Sequence, residues 1–224
     1  MAQEAVQSSD GGRAYFAARA LAQCQALPSE RSALERAIHL VQDPAVRREL
    51  IGEYESSGRV NAQCQSVVGD LEVRRLTLLN LAASQGVAGA TADLVALTNI
   101  RPNESQWKSI AADAEGGDLL SLSQIVAAGR IGGGLSDKQF AGYKLALSQI
   151  ASDPELKTKE SLTEFVELLR VTAPYGERKA GQTSFSDLSE SIENEYRQDE
   201  DVKALSARIL ANVRKSAGLK ASAS

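Results

Sequence analysis

Apolar residues recur along most of this chain at spacings of three and four, the period of an α-helix, while runs of β-branched residues are scarce. Tyr15, Phe16 and Ala20 supply a first stripe on a helix that starts at Arg13 and is expected to end at Leu27, Pro28 and Ser29. Ser29 then caps a second helix, with Ala33, Leu34, Ala37, Ile38 and Val41 as its buried face. Asp43 followed by Pro44 reads as an N-cap and first helical position, and Val46, Leu50, Ile51 and Tyr54 carry the stripe on to Ser56, Ser57 and Gly58. Residues 59 to 69 read as a loop held by Cys64, and the next helix spans Leu71 to Ser84.

Helix starts are also written by side chains that satisfy the free N–H groups of a first turn. Asn103 with Gln106, ahead of Trp107, and Ser136 with Gln139, ahead of Phe140 and Tyr143, both have the capping-box spacing. Asp153 and Pro154 open another helix, whose stripe contains Leu162, Phe165, Val166, Leu168 and Leu169 and which closes at Ala173 to Gly176. Leu188, Ile192, Tyr196, Val202, Leu205, Ile209, Leu210 and Val213 mark one or two terminal helices. The expected organisation is a disordered terminus over 1–12, a helical domain over 13–175, a linker over 176–185, C-terminal helices over 186–215 that pack on or cap the domain, and a disordered tail over 216–224.

Composition narrows the partners. Hydrophobic residues make up 43% of the 224, with Ala and Leu dominant, which suits closely packed helices. The 25 basic and 29 acidic residues are interspersed and give a net charge of −4, so no broad positive surface is expected for nucleic acid. No apolar run reaches the roughly 18 residues a membrane-spanning helix needs. Ala2, Gln3, Glu4 and Ala5 read as the start of a mature exported protein, pointing to a periplasmic or secreted location, with the cytoplasm as the alternative. Cys24 and Cys64 form an even pair in similar local words. A bridge closing that loop would stabilise the fold by roughly 3 to 4 kcal/mol in the chain-entropy model, and the alternative is two reduced, buried thiols.

A near-repeat carries the architecture. Ala83, Gly86, Ala90 and Leu94 recur 31 residues later as Ala114, Gly117, Ser121 and Ile125, and Trp107 takes the helix position of Leu76. Glycine suits the left-handed position just past a helix end, and the small residues beside it let two helices approach. This word resembles that of Sel1-like repeats, relatives of the tetratricopeptide class. Gly129 and Gly134 to Asp137, followed by Ala141 and Tyr143, partly resemble that family's inter-repeat loop and next helix. The resemblance covers about residues 76 to 147. It implies an all-α fold of antiparallel helix hairpins stacked as a short α-solenoid with terminal capping helices. It also implies protein binding or scaffolding without catalysis, and no fixed ligand residues.

Catalytic and metal-binding readings have weaker support. His39, with Glu35 one turn earlier, lacks an accompanying nucleophile motif, and Cys24, His39 and Cys64 lack the close cysteine spacing of zinc sites. Gly132, Gly133 and Gly134 lack the lysine of a phosphate loop. Glu190, Glu193, Glu195, Asp199, Glu200 and Asp201 lack the calcium-loop alternation. Glu49 and Glu53 have a spacing ordinary on any helix, and few aromatics accompany them to stack a sugar. The expected protein is a monomeric, non-catalytic interaction module without cofactor or metal, binding a protein or peptide on one face of residues 71–150. A cytoplasmic adaptor or chaperone and a carboxylate-dependent hydrolase are the alternatives.

Overall fold

A computed structural model describes residues 9–67, 69–128, 135–157, 196 and 199–219. Among them the regular structure is entirely helical. The chain divides into two compact units, residues 1–90 and 91–224, and the division falls within the stretch 13–175 expected to form one domain.

Unit one holds α1 (Gly11–Leu40), α2 (Pro44–Gln65) and α3 (Leu71–Ser84). Asp10 caps α1 by accepting from the Arg13 N–H at 3.0 Å, so the residues just before Arg13 are ordered rather than frayed. Gly11 is buried, and its N–H donates to Gln85 Oε1 at 2.7 Å. Ala14, Ala17, Ala18, Leu21 and Leu27 form the buried face of α1, which packs on α3, where Leu78, Leu79 and Ala82 are buried. Of the expected stripe, Tyr15 and Ala20 are half-buried at the edges of this face and Phe16 is 67% exposed, because the smaller residues on the adjacent face allow the closer helix approach.

The expected break at Pro28 is also absent, since α1 continues through it to Leu40. Proline has no N–H for the Cys24 carbonyl one turn back, a local loss that the helices packed along α1 override. Likewise α2 does not stop at Gly58, and the expected loop after it is helical as far as Gln65. Asp43 caps α2 as its sequence predicts, accepting from Ala45 at 2.7 Å and Val46 at 3.3 Å, with Pro44 in the first turn.

Unit two contains α4 (Ala90–Thr98, whose first residue ends unit one), α5 (Glu104–Glu115), α6 (Leu119–Ala128), α7 (Asp137–Ser152), the short α8 (Pro154–Lys157) and α9 (Glu200–Ser216). Both capping boxes form: Asn103 and Gln106 exchange bonds of 2.9 Å, and Ser136 and Gln139 bonds of 3.2 and 3.0 Å. Trp107, Ile110, Leu122, Ile125, Tyr143, Leu147, Ile150 and Ile209 make one apolar core. Helix α9 packs on α7 and α5, burying Val202, Ile209 and Val213 of the expected terminal stripe. The tail expected to be disordered from 216 is ordered as far as Leu219, which packs against that core. The expected 162–169 stripe, the 176–185 linker, Leu188 and Ile192, Gly129 and the glycine run at 132–134 lie outside the described residues.

Polar contacts, most of them partly buried, link helices within this unit. Arg214 is paired with Asp153 and Glu155. Burial works to raise the Asp153 carboxyl, but the N–H groups of Leu156 and Glu155 and the Arg214 guanidinium outweigh it and hold it below the usual carboxylate range. Tyr143 donates to Glu115 Oε1 at 3.0 Å, Arg208 meets the other carboxylate oxygen at 2.6 Å, and Asn212 Nδ2 donates to the Glu115 carbonyl at 2.7 Å. Burial and the nearby Glu115 carboxylate push the Tyr143 hydroxyl well above its ordinary range, so it remains a donor.

Candidate functional site

The near-repeat residues fall on two helix endings of the same kind. After α3, Gly86 donates to the Ala83 carbonyl at 3.0 Å and Val87 to Ala82 at 3.1 Å. After α5, Gly117 donates to Ala114 at 3.0 Å and Asp118 to Asp113 at 2.9 Å. These are Schellman motifs, with φ of +69° at Gly86 and +96° at Gly117. The ending recurs at α9, where Gly218 (φ +70°) donates to Lys215 and Leu219 to Arg214. Residues 213–219 lie outside the near-repeat, so this glycine ending is not confined to it.

The two connections differ beyond their glycines. Helix α4 begins at Ala90 after a five-residue connection, 85–89, whereas α6 begins at Leu119 after three residues, 116–118. Asp118 both closes α5 and caps α6, accepting from the Ser121 N–H at 2.7 Å. Ala90, Ala114, Ser121 and Ile125 are fully buried, Trp107 is buried in the apolar core, and Ala83 and Leu94 are half-buried. These positions build the scaffold.

A different feature stands out as a surface. From Pro28 outward, α1 and α2 form a helical hairpin in which no side chain of residues 28–65 is fully buried. Leu34, Ala37, Ile38 and Val41 of the expected buried face are half-buried, Ala33 is exposed, and on α2 only Leu50 and Tyr54 of the expected stripe are sheltered. Leu40 is 80% exposed, Val46 43% and Ile51 39%.

The hairpin is clasped near its base. Cys24 and Cys64 are disulfide-bonded with their Cα atoms 5.4 Å apart, one helical turn before Pro28. One turn beyond Pro28, Arg31 Nη1 donates to the Tyr54 carbonyl at 2.7 Å and to Ser57 Oγ at 2.6 Å, and its guanidinium stacks 4.0 Å from the Tyr54 ring centroid. Gly58 lies beside that guanidinium, and a Cβ there would meet Nη1 at an ordinary contact distance of 3.4 Å. At the base, Arg75 of α3 donates to Gln25 of α1 at 3.3 Å.

Arg31, Tyr54 and Ser57 were not among the sequence candidates. Leu27, Arg31, Leu34 and Ile38 share one face, and so do Leu50, Tyr54, Ser57, Asn61 and Cys64. Reading those stripes as continuous past Pro28 and Gly58 would have put Arg31 on the apolar face of one helix and Tyr54 and Ser57 on that of the other, without pairing them.

The remaining candidates are dispersed. His39 is exposed in the last turn of α1, and Glu35, Glu49 and Glu53 are exposed. Both cysteines are engaged with each other, which removes the thiolates from a Cys24, His39, Cys64 metal site. Asp199 caps α9 and, with Asp201, meets Lys138 at 2.7 and 3.6 Å, while Glu190, Glu193 and Glu195 lie outside the described residues. Among the described residues no helix is long and apolar enough to cross a membrane. No family model, no curated protein and no solved structure matches the chain.

Proposed function

We propose that this chain is a non-catalytic, monomeric binding module whose α1–α2 hairpin engages a protein or peptide partner in an oxidising compartment. The observation that carries this reading is α2 itself: a helix of 22 residues contributes no buried side chain. It adds little to the apolar burial that drives folding, so what it contacts explains it better than what it stabilises. Five of the seven large apolar side chains exposed among the described residues, Phe16, Leu40, Val46, Ile51 and Val60, belong to α1 and α2. This moves the expected contact surface from residues 71–150 to the hairpin. The Cys24–Cys64 bond favours an exported protein over a cytoplasmic adaptor.

The test is crosslinking in the native source, comparing the natural chain with a Leu40→Ser, Val46→Ser, Ile51→Ser variant. Crosslinks should fall on residues 11–65, and the variant should capture the same partner about tenfold less at unchanged helicity. Undiminished capture by the variant, or crosslinks confined to 71–150, would remove the hairpin as the binding surface.

A further inference from the structure

A helix without a buried residue needs another reason to stay folded. Helix α2 packs chiefly on α1, through half-buried positions and the Arg31 clasp. Its own sequence is a poor isolated helix, because Ser56, Ser57 and Gly58 interrupt it at mid-length and Val60 and Asn61 come soon after. The α1 segment it leans on begins at Pro28, where the helix lacks one backbone bond. The covalent link from α2 back to the well-packed part of α1 is Cys24–Cys64, placed just inside that weak turn.

We propose that this disulfide makes the hairpin beyond it a redox-conditional element. With Cys24 and Cys64 joined, α2 is held on α1. With them reduced, α2 leaves α1 and loses its helix, while the base formed by α1 and α3 stays folded.

The chemistry is thiol–disulfide exchange with a dithiol. One thiolate of the dithiol attacks one cysteine sulfur and releases the other as a thiolate, which takes up a proton. The second dithiol sulfur then displaces the first cysteine, closing the reductant's own disulfide and leaving two cysteine thiols. Neither cysteine is fully buried. An oxidising compartment keeps the hairpin ordered and a reducing one dissolves it. This inference concerns the hairpin's order and holds whether or not the hairpin binds a partner.

Hydrogen–deuterium exchange of the full chain, before and after treatment with dithiothreitol, tests it, with thiol alkylation and mass measurement confirming that both cysteines are reduced. Peptides from residues 44–65 should exchange at least about tenfold faster after reduction, while those from 71–84 and 137–152 stay within about twofold. A Cys24→Ser, Cys64→Ser variant should show the same fast exchange without reductant and no further change with it. Retained protection of 44–65 in the reduced chain or in the variant would overturn the proposal, and so would equal loss of protection in 71–84 and 137–152.

Discussion

Gly86 and Gly117 occupy the same position in the same kind of helix ending, yet their surroundings separate them. A Cβ at Gly86 would meet open space, whereas at Gly117 it would lie 2.9 Å from the Asn212 and Val213 backbone of α9. Gly86→Ala should cost about 1 to 2 kcal/mol, the penalty for a left-handed L-residue. Gly117→Ala should cost about 1 to 3 kcal/mol more, because a backbone cannot yield as a side chain does. Urea unfolding of the two variants checks this, and equal midpoints would mean that α9 does not approach Gly117 so closely. A second residue-scale expectation concerns acid. The unfolded chain takes up a proton on Asp153 near the ordinary value of about 3.9, before the folded chain does. The Asp153 contribution is therefore present above that pH and lost as pH falls through the lower folded value. Asp153→Asn should be less stable than the natural chain at pH 6, with the gap narrowing toward pH 3. A gap of constant size would show that the carboxylate charge contributes nothing.

Helix by helix, the capping signals were the most legible part of the fold. Asp43, Asn103, Ser136 and Asp153 all cap where their side chains predict, because an N-cap is a local bond between neighbours. Pro28 and Gly58 misled for the complementary reason: they lower helix propensity, and tertiary packing overrides propensity. The α1 face was misread because Ala14, Ala17 and Ala18 have small apolar area, and their value appears only with α3 against them. The clasp of Arg31 on Tyr54 and Ser57 joins residues more than 20 apart, so it required knowing that the two helices run side by side. At this scale, Pro28→Ala should restore the missing backbone bond and slow exchange in residues 28–40. Faster exchange there would instead give the proline a positive role in shaping the hairpin.

For the molecule as a whole, the sequence was clear about helical class and left open where its exposed apolar groups gather, since that depends on which faces pack. The bridged cysteines predict that protein isolated from its source without reductant shows no titratable thiol until it is denatured and reduced, and two afterwards. Two thiols at the outset would withdraw the oxidising compartment. Helix α2 also bears on how the chain can change over generations. Substitution at a buried position is screened by folding, but a helix with no buried position escapes most of that screen. Apart from the half-buried Leu50, Tyr54, Ser57, Gly58, Asn61 and Cys64, its residues are free to drift at little cost to the rest of the chain. The exposed side of α2 is therefore where descendants of this protein can change most while the packed helices stay the same.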